Sequence, residues 1–226
     1  MTEDTTIYEL VEQRQSIRDY LDKQVQSEVI EKVLNAALRS PSGGNLQPWQ
    51  IHVVRGASIE RMKALMREKL NDPEHQEVHE YDIYPAKLKS PYRERRFEVG
   101  EALYGQLGIP REDKVARQKW FLRNFEFFGA PVGLFFTIDR AMGSPQWSDL
   151  GMIMQTIMLL LRAEGLDSCA QECWSLYPST VGNFLELDSE QMVFAGMAVG
   201  YRKPEQPINQ LKTSRAKLNE IVRIHD

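Results

Sequence analysis

Two cysteines, four histidines and no excess of positive charge leave little room for several common kinds of protein. Cys169 and Cys173 are too few for a disulfide framework and are misplaced for Cys-x-x-Cys redox chemistry. They read better as small buried hydrophobes. A net charge of −4 argues against a nucleic-acid footprint, which is basic. The longest apolar stretch, 151–161, is interrupted by Gln155 and Thr156 and is too short to span a bilayer. The start, Met1-Thr2-Glu3-Asp4, lacks the basic and apolar regions of a signal peptide. No Gly-x-Gly-x-x-Gly follows a strand and no Gly-Lys-Ser/Thr occurs, so a dinucleotide resident in a Rossmann crevice is not expected. His75 and His79 lack the His-Glu-x-x-His order, and no third metal ligand is evident. The histidines are too scattered to build a Ser-His-Asp arrangement. The expectation is a cytoplasmic protein in a reducing compartment, free of nucleic acid, membrane and metal.

What remains fits one domain of 226 residues, 42% of them hydrophobic, enough for a real core. Thr5 or Thr6 caps a helix over 7–13, with Ile7, Leu10 and Val11 on one face. Ser27 caps a second, where Ile30, Val33, Leu34, Ala37 and Leu38 recur at helical spacing and Pro41 ends the run. A strand follows over 50–54, then a helix opened by Ser58. The charged, proline-containing stretch 71–117 reads as a lid-like insertion with short helices or as solvated decoration. A helix then ends near Phe128. Val132–Ile138 and Met192–Val199 are continuous apolar runs of the buried-strand kind. Between them Ser148 caps a helix over 149–163, apolar nearly all round, with Gly165 as its left-handed stop. A short helix follows Pro178-Ser179. Alternating helices and strands give an α+β or α/β class.

Three polar segments stand out. Arg14-Gln15-Ser16-Ile17-Arg18 and the later Thr213-Ser214-Arg215 offer arginine forks and hydroxyls, the groups a phosphate monoester needs. Between them lies the loop Pro41-Ser42-Gly43-Gly44-Asn45-Leu46-Gln47-Pro48-Trp49, where glycines permit close backbone approach and Ser42, Asn45 and Gln47 supply donors and acceptors. Each segment alone reads as an ordinary loop or a solvated patch.

Together they resemble the FMN-dependent nitroreductase family. Arg14-Gln15-Ser16-Ile17-Arg18 is similar to its Arg-x-Ser-x-Arg/Lys opening, with Gln15 where many members carry a second basic residue. Pro41 to Trp49 is similar to its Pro-Ser-x-x-Asn-x-Gln-Pro-Trp loop. Ser148-Asp149-Leu150-Gly151 with Gln155, Gly165 to Ser168, Gly196 to Tyr201 and Arg215 are similar to its central helix, following turn, last core strand and C-terminal arginine. The resemblance implies an α+β three-layer sandwich, a mixed, mainly antiparallel sheet flanked by helices, in an intertwined homodimer with tightly bound FMN at the interface. By the same resemblance Arg14, Ser16 and Arg215 hold the FMN phosphate, with Gln15 in the same segment. Arg18, the catalytic candidate, lies by flavin N1 and the C2 carbonyl. Pro41, Ser42, Gly43 and Asn45 reach the flavin of the other subunit. Ala170, Gln171 and Glu172 run past the ring. The implied activity is ping-pong hydride transfer from NAD(P)H, a transient co-substrate, to nitroaromatic or quinone-like acceptors. Reductive dehalogenation of the iodotyrosine deiodinase type, for which Glu80 and Tyr84 are compatible lid residues, and flavin binding without turnover are the alternatives.

Overall fold

The computed structural model describes residues 6–225. Thr6 caps α1 (Ile7–Gln13) in a reciprocal capping box with Glu9; Thr5, the other candidate, lies outside the described residues. α2 (Ser27–Ala37) buries Ile30, Val33 and Ala37, and Ser27 is its first helical residue rather than its cap, a place taken by Gln26. β1 (Trp49–Arg55) leads into α3 (Ala57–Asn71). The excursion that follows holds α4 (Tyr92–Gln106) and α5 (Lys114–Leu122), and a 3₁₀ segment, Arg123–Gly129, carries the chain into β2 (Val132–Asp139). Then come α6 (Ser144–Ala163), β3 (Asp167–Gln171), α7 (Pro178–Leu185), β4 (Gln191–Gly200) and the short α8 (Leu218–Ile221).

The sheet order is β1-β2-β4-β3, all antiparallel; the parallel component is a single bridge between Ser16 and Ser168. Alternate side chains of β2 and β4 feed two cores, as the two-residue period of a strand requires. Leu134, Phe136, Met197 and Val199 pack with α2 and α6. Phe135 and Ala198 pack with Ile59, Met62 and Met66 of α3 and with Phe125, Phe127 and Trp174. Both faces are covered, which is why these strands are apolar without alternation. Three layers result, and the expected α+β sandwich is what forms.

On the α3 side the core is aromatic. Trp174 lies 4.7 Å from Phe127, 4.9 Å from Phe135 and 5.2 Å from Phe125, centroid to centroid. Its indole fills the space beside β4, where a Cβ on Gly196 would fall 2.3 Å from Cδ1.

Three local readings need correction. α6 begins at Ser144, a turn before Ser148, whose hydroxyl instead donates to the Pro145 carbonyl at 2.6 Å from inside the helix. Proline in the first turn and the Gln146 side chain, which accepts the Gly143 amide at 3.1 Å, set that start. The helix expected to end near Phe128 stops at Leu122; the chain goes on in 3₁₀ turns, in which Phe127 and Phe128 take left-handed φ of 50° and 54°. The 71–117 stretch carries a full 15-residue helix, α4, rather than only short ones.

The irregular part of the excursion is pinned to the core at three points. Glu77 accepts the Ser179 and Thr180 amides at the start of α7, at 2.6 and 3.2 Å, and pairs with His75 at 2.8 Å. Glu80 forms a bidentate pair with Arg140 at 2.7 and 2.9 Å. The Tyr81 hydroxyl donates to the Phe194 carbonyl at 2.5 Å, and burial of that phenol pushes its pKa up to about 12.

Candidate active site

After α1 the chain straightens and lies beside β3. The Ile17 amide donates to the Ser168 carbonyl at 3.1 Å, and Ile17 is fully buried. In an extended segment the neighbours of a buried residue point the other way, so Ser16 and Arg18 face outward together. Both lie near Cys169 of β3, whose buried thiol donates to the Ala170 carbonyl at 3.7 Å. Burial pushes that thiol up; Arg18, a hydrogen bond with Ser16 and Arg14 all pull it back.

Arg215 arrives from the far end of the chain. Burial lowers the pKa of Arg14, and the nearby Arg215 cation lowers it further. Arginine stays ionised regardless, so two like charges are held close. Among the described residues no carboxylate lies within ion-pair distance of Arg14, Arg18 or Arg215. Two half-buried arginines elsewhere do have such a partner: Asp167 takes Arg202 at 2.7 and 2.6 Å and Arg162 at 2.9 Å. Uncompensated guanidiniums beside a serine hydroxyl form a donor set for a phosphate dianion.

The Ser40–Trp49 loop is built separately. Gly44, Asn45 and Gln47 take positive φ of 57°, 56° and 51°, and glycine accepts this most easily. Ser42 Oγ accepts the Gln47 amide at 2.9 Å, the Gly43 amide donates to Asp149 Oδ1 at 3.2 Å, and Ser40 donates to Thr156 at 3.0 Å. Pro41, Gly43 and Asn45 are exposed and Ser42 is half-buried. None of these hydrogen bonds reaches the arginine cluster. Within one chain Arg14, Ser16 and Arg18 lie around Cys169 and Arg215 lies near Arg14, with Gln15 half-buried in the same segment, and the loop shares no hydrogen bond with them among the described residues.

At the end of β3, Ala170 and Glu172 are exposed while Gln171 is buried. The Gln171 amide donates to the Asn124 carbonyl at 2.7 Å and accepts the Trp174 indole N–H at 3.3 Å. Its side chain serves the interior, so only the backbone and the flanking residues face out. Partial desolvation raises the Glu172 carboxyl above its usual range.

Three polar residues at this end of the fold escaped sequence reasoning. Asn124 holds Gln171. Asp149 is almost fully buried, with Oδ1 on Gly43 and Oδ2 without a hydrogen-bond partner among the described residues. Asn209 is equally buried and bonds the Arg18 backbone at 2.9 Å. Asn124 and Asn209 are lone amides in no motif, so spacing carried no signal; Asp149 stood in the central-helix segment, but nothing in the sequence said that it would hold the Gly43 amide.

Two lid residues fare differently from expectation. Glu80 is committed to Arg140 and its carboxylate is 6% exposed; Tyr84 lies under Arg96 at 4.0 Å. That leaves the dehalogenation reading without its carboxylate. His75 is engaged by Glu77 and stacks on Tyr177. Among the described residues no three potential metal-binding side chains cluster.

α4 flanks the C-terminal segment. Between them lies a cavity of about 860 Å³ whose wall includes Arg95 and Val99 of α4 and Lys212, Thr213 and Arg215 of the tail. A second cavity of about 520 Å³, between α3 and α5, is lined by Met66, Leu70, Trp120 and Phe125 and by none of the candidate site residues.

Comparison with known proteins supplies the context for this geometry. A model of the nitroreductase family matches residues 11–201. The chain is 36% identical to the nitrobenzene nitroreductase of Ectopseudomonas oleovorans, over 95% of each chain. It is 35% identical to a 4-nitrobenzoate reductase of Pseudomonas putida, over 91% of this chain and 89% of that protein. Among solved structures, the FMN and NADPH-dependent nitroreductase NfnB of Sphigopyxis sp. strain HMH superposes with a TM-score of 0.95 at 42% identity, covering 98% of this chain and 100% of that one. The FMN-dependent NfnB of Mycobacterium smegmatis, solved with NADPH, superposes at 0.92 and 27% identity, covering 97% of each. With the family match running from α1 to the end of β4, and these relatives aligned along nearly their whole length, the chain belongs to the nitroreductase family.

Proposed function

We propose that this protein is an FMN-dependent NAD(P)H nitroreductase that reduces small nitroaromatic or quinone-like acceptors by a ping-pong route. The observation that carries the reading is that Arg14, Ser16 and Arg18 surround Cys169 and Arg215 lies near Arg14, with no carboxylate, among the described residues, within ion-pair distance of the three arginines. The relatives act on nitrobenzene and 4-nitrobenzoate, as their names state.

Bound FMN supplies reversible two-electron redox chemistry, which the protein positions and tunes. Arg14, Ser16 and Arg215 would hold its phosphate. Arg18 would offer a cation to the negative charge that develops on the reduced ring and so favour the electron-accepting direction. The backbone of Ala170 to Glu172 would border the ring. Nicotinamide and acceptor would use the site in turn, so no separate nucleotide domain is needed.

A second copy of the chain completes the site, with Pro41, Ser42, Gly43 and Asn45 crossing to the partner's cofactor. Support comes from the loop's making no hydrogen bond to the arginine cluster within one chain, among the described residues. It comes also from apolar side chains left uncovered on α1 and the C-terminal segment: Tyr8 is 80%, Leu218 75% and Ile224 82% exposed. Patches of that kind mark interfaces. In the described residues no helix is long and apolar enough to cross a membrane. Buried free thiols at Cys169 and Cys173 suit a reducing, cytoplasmic setting.

The test is a visible spectrum of the purified protein, followed by anaerobic addition of NADPH and NADH in turn. A flavin band that bleaches, and returns on adding nitrobenzene or 4-nitrobenzoate, is expected. Protein that stays colourless when offered FMN would falsify the reading. Flavin that binds but never bleaches would reduce it to a carrier.

A further inference from the structure

The Arg18 guanidinium leans back on its own segment, donating to the Ser16 carbonyl at 3.2 Å. Where it points therefore depends on the backbone course from Ser16 to Arg18. That course has two anchors. On one side the Ile17 amide is held by the Ser168 carbonyl of β3 at 3.1 Å. On the other the Arg18 amide donates to Asn209 Oδ1 at 2.9 Å, a contact between opposite ends of the chain.

Asn209 is 3% exposed and its amide is fully used. Nδ2 donates to the Asp19 carbonyl at 2.8 Å and to the Lys203 carbonyl at 3.0 Å. This fixes the amide's orientation, since a flip would set Oδ1 against two carbonyl oxygens. The surroundings reinforce the junction. The Asp19 carboxylate takes Lys203 Nζ at 2.9 Å and Arg123 at 3.6 Å, and the Lys203 amide donates to the Asp19 carbonyl at 3.1 Å. Asn209 also lies on the tail that goes on to Arg215, in a short 3₁₀ turn, Pro207–Gln210.

We propose that Asn209 is a positioning residue: it fixes the Arg18 backbone, and so the Arg18 cation, at the flavin, and it links the N-terminal cations to the segment that delivers Arg215. This rests on the functional reading above and adds a residue to it. Buried asparagine is used because it alone among side chains of this size can accept one backbone amide and donate to two carbonyls at once. An aspartate would face two carbonyl oxygens with negative charge, and leucine would leave the Arg18 amide unpaired and strip one donor each from the Asp19 and Lys203 carbonyls.

The experiment is a double-mutant cycle on Asn209→Leu and Arg18→Ala, reading the midpoint potential of bound FMN. Asn209→Ala, whose smaller side chain leaves room for water, replaces Asn209→Leu should that variant fail to fold. The Asn209 variant is expected to weaken FMN binding about tenfold and to shift the potential in the same direction as Arg18→Ala. In the Arg18→Ala background it shifts the potential no further. In the cofactor-free protein the Arg18 amide exchanges with deuterium faster in the Asn209 variant than in the wild type. Additive potential shifts, an unchanged potential with only a lower melting temperature, or unaltered Arg18 exchange would overturn the inference. Wild-type protein that takes up no FMN would overturn the functional reading itself and this role with it, an outcome distinct from the other three.

Discussion

The Asp149 carboxylate accepts the Gly43 amide at 3.2 Å, so the long α6 sets the course of the Ser40–Trp49 loop. The loop holds three consecutive-to-alternate residues at positive φ, Gly44, Asn45 and Gln47, and such backbone persists only where its surroundings over-determine it. Asp149→Ala removes one of those determinants. We expect a loss of about 1 kcal/mol in stability, typical of one hydrogen bond, and weaker FMN retention. Amide exchange at Gly43 and an FMN titration check both. An unchanged Gly43 exchange rate would show that α6 does not steer the loop.

Arg18 and Arg215 are expected to separate in their effects. Arg18→Ala keeps FMN but slows its reduction by NADPH by about a hundredfold, the scale of losing one preorganised electrostatic contact. Arg215→Ala weakens FMN binding by about ten- to a hundredfold, the scale of a charge-assisted hydrogen bond, and leaves the saturated spectrum near normal. Fluorescence titration and stopped-flow reduction distinguish them. Equal effects of both on affinity would contradict the assigned roles.

Glu77 gives the excursion a pH dependence. Desolvation opposes its ionised form, but bonds from the Thr180 hydroxyl, His75 and the Thr180 and Ser179 amides outweigh it and hold the carboxyl below its usual range. A depressed carboxyl stabilises the folded state above the ordinary glutamate pKa, and that contribution is lost as pH falls through the folded value. Protection of residues 75–81 against amide exchange should therefore fade on acidification through and below the ordinary glutamate range. Glu77→Gln should flatten that dependence and cost about 1–2 kcal/mol. A variant with the wild-type acid profile would place the titration elsewhere.

Asp167, with its side chain 2% exposed, faces both Arg162 and Arg202. Asp167→Asn leaves two half-buried guanidiniums without their counter-ion, and such breaks cost about 3–5 kcal/mol. The urea midpoint should fall accordingly, with bound FMN still yellow at low denaturant. A midpoint shift too small to measure would mean that solvent already screens the pair.

The sequence made some elements plain and hid others for physical reasons. α1 was legible in its extent, 7–13, from its apolar face, while the sequence left its cap between Thr5 and Thr6 and did not show the partnership with Glu9. β2 and β4 were legible as apolar runs. β3 was not: Asp167-Ser168-Cys169-Ala170-Gln171 looks like a turn and becomes a strand only by pairing with β4. α4 was not, since it buries no residue and has no apolar stripe to read. The resemblance read the motif arginines as phosphate ligands, but spacing could not say that Arg215 lies near Arg14. Nor could it show that Gln171 turns its amide inward, or that Asn209 joins the chain's two ends.

The contact between Gly196 and Trp174 has a consequence for how this fold can change. The indole occupies the volume that any side chain at 196 would need. It also sits just past Gln171 and Glu172, receiving no slack from the aromatic rings around it. A larger residue at 196 evicts the ring; a smaller ring at 174 opens a void. A substitution at either position alone is penalised, so the two positions are constrained together.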